Sequence, residues 1–243
     1  MSKVKKIIIA ALIFVVLAII AMIPIPYVIE SPGTAEEVSQ FLTISGANDE
    51  DPGSLRVLTV YVEQATVLTY FKKFLKHHEM VPSEEVFGDY TPEEFDALQD
   101  FSMRNARSKA VRVAFEAAGK TVERHVNGIF VTRVDPNSNF RDKLKVGDII
   151  ETIDGKSPGN TDESFEDLKD YLAGLEPGHT LVLQVKRDDA TMSIRGQLKM
   201  DSRTGGIRLG FGGEVDEDVT SDPSVEFDPH GVSGPSGGLM FTL

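Results

Sequence analysis

Gly128-Ile129-Phe130-Val131-Thr132-Arg133-Val134, then Asp135-Pro136-Asn137-Ser138, then Leu144-Lys145-Val146-Gly147-Asp148-Ile149-Ile150 is the stretch on which the fold turns. The first seven residues read as a strand and the next four as a turn. The third group leads through Glu151-Thr152-Ile153 into an Asp154-Gly155 hairpin turn, a pair suited to two successive left-handed residues. Further on, Asn160, Thr161 and Asp162 supply a cap and early negative charge for a helix carrying Phe165, Leu168, Leu172 and Leu175 on one face. Gly174 and Pro177-Gly178 end that helix. Leu181–Arg187 and Thr191–Leu198 form a last hairpin around Asp188-Asp189.

This order of elements, with Gly-Ile-Phe-Val followed by Leu-Lys-Val-Gly-Asp-Ile-Ile, resembles the PDZ domain family over about seventy residues. The resemblance implies a small, partly open β-barrel with helices. It also implies that Gly128, Ile129, Phe130 and Val131 are the carboxylate-binding loop and strand, so that an extended peptide pairs with a strand edge while backbone N–H groups hold its terminal carboxylate. A small β domain whose edge is capped by its own chain stands beside that reading.

Toward the N-terminus, every residue from Ile7 to Ile25 is apolar or proline, and no charge lies between Lys6 and Glu30. A 19-residue helix rises about 28 Å, close to the roughly 30 Å of a bilayer's hydrocarbon layer. The run ends in Pro24-Ile25-Pro26-Tyr27-Val28 rather than at a small-residue cleavage site, which favours an uncleaved anchor over a signal peptide. Lys3, Lys5 and Lys6 place the N-terminus in the cytoplasm and the bulk of the chain outside it. These three belong to 25 basic residues set against 38 acidic ones, a net charge of −13; without them the rest of the chain carries 22 against 38, or −16. So acidic a body argues against nucleic acid as a partner. The lack of cysteine removes disulfides, thiolate nucleophiles and Cys-ligated zinc.

Between anchor and central module, Ser39–Ile44 and Ser54–Val62 read as strands, the second apolar on both sides as a buried strand is. Val67, Tyr70, Phe71, Phe74 and Leu75 recur at helical spacing with lysines interleaved, which predicts a basic helix packed on its own domain, with contact to a lipid surface as the alternative. Thr91-Pro92-Glu93-Glu94 opens a second helix with Phe95, Leu98, Met103, Ala106, Ala110, Val113 and Ala117 on its apolar face, stopped at Gly119. Ala114–Thr121 loosely matches a phosphate-binding loop, but it closes a helix where such a loop must open one. Neither His77-His78-Glu79 nor Asp216–Asp218 has the spacing of a metal site, and no cofactor is expected.

The last forty residues hold a glycine-rich serine motif, Gly231-Val232-Ser233-Gly234-Pro235-Ser236-Gly237-Gly238-Leu239-Met240-Phe241. Glycines on both sides of Ser236 let a backbone approach a substrate carbonyl, and an apolar helix beginning beside it would offer N–H donors to an oxyanion. The nucleophile elbow of α/β hydrolases is excluded by chain order, because no acid and no histidine follow the serine. Gly-Pro-Ser-Gly-Gly-Leu-Met resembles the serine motif of the Lon-type (endopeptidase La) peptidases. The order of anchor, Glu30–Gly33, helical region, PDZ domain and serine motif resembles their YlbL-like branch, membrane-anchored Ser/Lys peptidases of Gram-positive bacteria that act without an ATPase module.

That resemblance implies an α+β chain divided into a cytoplasmic stub (1–6), a transmembrane helix (7–26), an extracytoplasmic α+β region (27–120), a PDZ domain (121–200) and an incomplete Lon-type proteolytic domain (201–243). It makes Ser236 the nucleophile, with Gly234, Gly237 and Gly238 shaping the oxyanion loop. The family's catalytic lysine lies beyond its serine, whereas no lysine follows Lys199 here. The sequence therefore leaves two functions open. One is a serine endopeptidase fed by its PDZ groove, inactive as this polypeptide alone. The other is a non-catalytic, membrane-tethered peptide-binding protein. Their shared partners are a peptide or protein and a lipid bilayer.

Overall fold

The computed structural model describes residues 3–46, 53–202, 205–228, 232 and 234. In chain order the elements begin with α1 (Lys3–Ala21), β1 (Pro24–Glu37), β2 (Leu42–Ile44), β3 (Arg56–Thr66) and β4 (Glu79–Pro82). They continue with α2 (Ser83–Phe87), α3 (Pro92–Ala117), β5 (Val122–Val134), β6 (Ile149–Ile153) and α4 (Asp162–Ala173). The last are β7 (Thr180–Arg187), β8 (Ala190–Gln197), β9 (Lys199–Met200), β10 (Ile207–Arg208), β11 (Phe211–Ser221) and β12 (Val225–Phe227). Two compact units share them, one within Met1–Glu37 and Arg56–Pro92, the other within Val38–Leu55 and Glu93–Leu243.

In the first unit α1 has the length and composition of a membrane span or a signal sequence, and none of its residues is buried in the protein. It stops at Ala21 rather than near residue 26, because Pro24 cannot donate the next helical hydrogen bond and begins β1 instead. β1 is the middle strand of an antiparallel sheet ordered β3-β1-β4. Ser31-Pro32-Gly33 lies inside β1 beside a register shift between Pro32 and Ala35. Gly33 is required there, since a Cβ would come within 2.3 Å of Thr59 Oγ1.

Two expectations for this unit need correction. β3 is an edge strand, not a buried one, so Leu58, Val60, Tyr61 and Val62 are exposed while Val28 and Ile29 of the middle strand and Ala65 form the interior. The stretch after β3 forms a 3-10 helix over Thr69–Phe74 whose apolar side chains are not packed away; Phe71 is 66% and Phe74 74% exposed. Six residues of tight helix make too little of an amphipathic face to bury against a sheet.

The second unit is built on an antiparallel sheet of order β11-β5-β6-β7-β8. Alternation along β5 sends Ile129 and Val131 to a core shared with Phe140, Leu144, Ile150, Leu168 of α4, Leu181 and Leu183. Phe130 points to the opposite face and stacks on Phe101 of α3, ring centroids 4.0 Å apart and 8° from parallel. Burying each such aromatic or leucine is worth about 1.5–3 kcal/mol.

The local punctuation explains the elements. Asp154 and Gly155 both take positive φ (50° and 77°), closing a two-residue turn between Ile153 and Lys156. Thr161 caps α4, its hydroxyl accepting from the Ser164 N–H at 3.1 Å, and the side chain and backbone of the two residues complete a capping box. α3 ends where Gly119 turns left-handed (φ 70°) and the Lys120 N–H reaches back to the Phe115 carbonyl at 2.8 Å. The phosphate-loop look-alike therefore sits at a helix C-terminus. The buried side of α3 differs from the expected stripe: Phe101, Met103, Asn105, Ser108, Ala110 and Phe115 are buried and Val113 is exposed.

Residues 201–228 do not begin a separate folded layer. β11 joins the central sheet beside β5, and β12 pairs with β2 at Val225↔Ile44 and Phe227↔Leu42. The central sheet thus runs past residue 200, where the sequence places a boundary. It also draws residues 38–55 and 93–120 into its own unit.

Candidate functional site

Strand addition needs a strand edge whose N–H and C=O groups are unpaired. Gly128–Val131 do not offer one. On one side Ile129 and Phe130 pair with Ile150 and Ile149, and the Val131 N–H donates to the Asp148 carbonyl at 2.8 Å. On the other side Gly128, Ile129, Phe130 and Val131 pair with Asp216, Val215, Glu214 and Gly213 of β11. The predicted peptide-binding strand lies in the sheet interior, which corrects the sequence expectation.

The sheet has two ends, β8 and β11. β8 is covered by side chains: Lys143 Nζ donates to the Arg195 carbonyl at 2.7 Å and Asn139 Nδ2 to the Gln197 carbonyl at 2.8 Å. No described strand pairs with the outer edge of β11. A glycine turn leads into that edge. Gly210 has φ 83°, and a Cβ there would come within 2.4 Å of Ser138 Cβ. Its carbonyl accepts from the Asp135 N–H at 2.9 Å, and Arg208 pairs with Asp135, so the turn is held against the start of the Asp135–Ser138 loop. Leu209 and Phe211 flank the glycine and pack on the sheet's core, Phe211 edge-on to Phe140 at 5.3 Å. A cavity of about 110 Å³ lined in part by Ser138, Lys199, Arg208 and Gly210 opens beside the turn.

The far part of β11 is tied to the helix. Arg124 pairs with the buried Glu217 and with Asp162, the first residue of α4, at 2.7 Å. On the opposite face Arg104 of α3 stands 3.7 Å from Asp216, whose pKa is raised by burial and by Asp218 against the lowering effect of Arg104. β11 thus runs from the Gly210 turn at one end to the Arg124 pairs at the other, with no described strand along its outer side.

Residues 102–198 match the family model for the PDZ domain. The chain carries a PDZ domain. Its β11 edge lies just beyond the matched residues but in the same sheet. The crystal structure of the PDZ domain of an SdrC-like protein from Listeria monocytogenes is 24% identical over 36% of this chain and 87% of that chain, with a TM-score of 0.31. The same domain of an SdrC-like protein from Listeria innocua is 24% identical over 36% and 94%, also at 0.31. A solution structure of the second domain of a Listeria protein is 22% identical over 37% and 83%, at 0.28. No curated protein matches the chain.

Of the other predicted site residues, Ser236, Gly237 and Gly238 lie outside the described residues. Gly234 is described and has φ 112°; a Cβ on it would stand 3.1 Å from Gln99 Oε1 of α3. The site residues missed from sequence are Leu209, Gly210 and Phe211 with the strand that follows. Their signal was present as a glycine between two apolar residues ahead of the alternating Phe211, Gly213 and Val215, but the pairing partner lies far back in the chain.

Proposed function

We propose that this protein is a membrane-tethered peptide-binding protein, anchored by α1 with its N-terminus in the cytoplasm, whose PDZ domain takes an extended peptide along the outer edge of β11 outside the cytoplasm. The outer edge of β11 behind the Gly210 turn, with which no described strand pairs, carries the reading. A peptide laid there extends the sheet by one strand and satisfies the edge N–H and C=O groups with its own backbone. A terminal carboxylate then falls at the turn, where the left-handed glycine lets successive N–H groups point the same way. Hydrogen exchange of the full chain with peptides bearing free or amidated C-termini tests this. Protection is expected over residues 207–219, with the free carboxylate binding more tightly. Protection confined to β8 or to Gly128–Val131, or none with any peptide, would overturn it.

The Gly234–Gly238 motif favours a second, finer reading, a Lon-like serine endopeptidase of the YlbL-like kind. In it the Ser236 hydroxyl attacks a peptide carbonyl, a lysine takes the proton, and neighbouring N–H groups hold the oxyanion. The base is not drawn from residues 200–243, which contain no lysine. Incubating the purified chain with the peptides it binds tests the catalytic reading. Hydrolysis lost in Ser236→Ala identifies the nucleophile and overturns the expectation that this polypeptide is inactive alone.

A further inference from the structure

We infer that the segment from Val67 to His78 is a lipid-contact element, seated in the headgroup layer of an anionic leaflet where α1 leaves the membrane; this rests on reading α1 as a membrane span.

The backbone fixes its place. The Leu68 N–H donates to the Ala21 carbonyl at 3.0 Å and the Val67 N–H to the Ile23 carbonyl at 3.1 Å. The segment is therefore stitched to the last turn of α1 and the residues just after it. Helix α1 rises about 28 Å from Lys3 and about 22 Å over the fifteen residues from Ile7 to Ala21, so with the lysines at one surface Ala21 and Ile23 come near the other. Whatever is hydrogen-bonded to Ala21 and Ile23 lies at the boundary between acyl chains and headgroups.

The side chains suit that boundary. Leu68, Phe71, Phe74 and Leu75 are all exposed within eight residues, an apolar patch that water alone does not reward. Lys72, Lys73 and Lys76 alternate with them, and residues 67–78 contain no acidic side chain, in a chain of net charge −13. Lys73 Nζ sits 3.7 Å from the Tyr70 ring centroid and 5.1 Å from that of Phe74, so the cation and the aromatic surface share one side. Lys72 pairs with Glu63 of β3, which orients the turn on the sheet. Half-exposed Tyr27, three residues past Pro24 on β1, adds an amphipathic ring near the same depth. Apolar rings with interleaved lysines at an interface are the composition that binds anionic headgroups while inserting shallowly.

The chain contains no tryptophan, so one introduced tryptophan reports alone. Full-length Phe74→Trp, with Phe71→Trp in parallel against local misfolding, is reconstituted in phosphatidylglycerol-containing vesicles with brominated lipids. Ile13→Trp in α1 is the reference. Ile13→Trp is expected to be quenched by bromines deep in the acyl chains whatever the headgroup. The turn tryptophans are expected to be quenched by shallow bromines, and to lose that quenching when phosphatidylcholine replaces the anionic lipid or when Lys73→Glu and Lys76→Glu are added. Quenched Ile13→Trp with unquenched turn tryptophans overturns the inference and leaves the anchor standing. Turn tryptophans shielded from both bromine and aqueous iodide also overturn it, placing protein such as a second copy on the patch. Unquenched Ile13→Trp removes the anchor itself.

Discussion

Asp148 puts a carboxylate where almost no water reaches, its side chain 1% exposed, and Arg187 answers it with two hydrogen bonds, Nε to Oδ1 at 2.6 Å and Nη2 to Oδ2 at 2.7 Å. The Lys145 N–H adds a third at 2.8 Å. Arg187→Met would keep the stem packed and strand the carboxylate, with an expected stability loss of about 3 kcal/mol in denaturant unfolding. The Asp of the opening motif is thus explained by a charge pair joining the residue before β6 to β7. Asp154 is a second case. Burial pushes its pKa up, but His179 at 2.8 Å, the Val182 N–H at 2.7 Å and the Tyr171 hydroxyl at 2.9 Å outweigh it, and the carboxyl ends below its ordinary value. A folded-state pKa lower than the unfolded one gives stability that is present above the unfolded value and lost as pH falls through the folded one. Thermal melts from about pH 5 to 2 should fall more steeply for the native chain than for Asp154→Asn; parallel curves would count against the network.

At the scale of elements, α4 depends on its start. Thr161→Ala removes the hydroxyl that receives the Ser164 N–H and should cost about 1 kcal/mol, read as a lowered midpoint in urea, with Thr161→Ser close to native. Such features were legible because they are local. The Asp154-Gly155 turn, the Asp188-Asp189 hairpin, the Thr161 cap and the Gly119 stop each need only a few consecutive residues to specify them. β11 was illegible for the opposite reason. Glu214, Asp216, Glu217 and Asp218 crowd one short stretch, yet Asp216 and Glu217 are buried, and the residues that make this tolerable, Arg104 and Arg124, sit on α3 and β5. No local pattern announces them. The aromatic turn after β3 was misread because periodicity reveals a stripe without revealing what the stripe meets. Likewise Gly128–Val131 could be read as a strand, but its neighbours could not. Arg124→Met would leave Glu217 buried without its cation and should loosen β11 first, with hydrogen exchange over 211–221 rising before that of β7.

For the whole molecule, the uneven charge and the apolar N-terminus predict an orientation that thiol chemistry can test, since the chain has no cysteine of its own. Ser202→Cys should react with a membrane-impermeant maleimide on intact cells, and Ser2→Cys only after permeabilisation; the reverse pattern would invert the topology. The last strand of the central sheet has a consequence for how the protein is made. Val134 pairs with Phe211 and Val122 with Ser221, so 77 to 99 residues of synthesis separate each half of the ladder. Until β11 arrives, the apolar Ile129–Val131 edge is the sheet's provisional border, open to any passing strand. A polypeptide cut at residue 200 would keep that border permanently and should aggregate or bind peptides indiscriminately. In the intact chain, the strand that ends this hazard during biogenesis is the one whose outer edge is proposed to take the peptide.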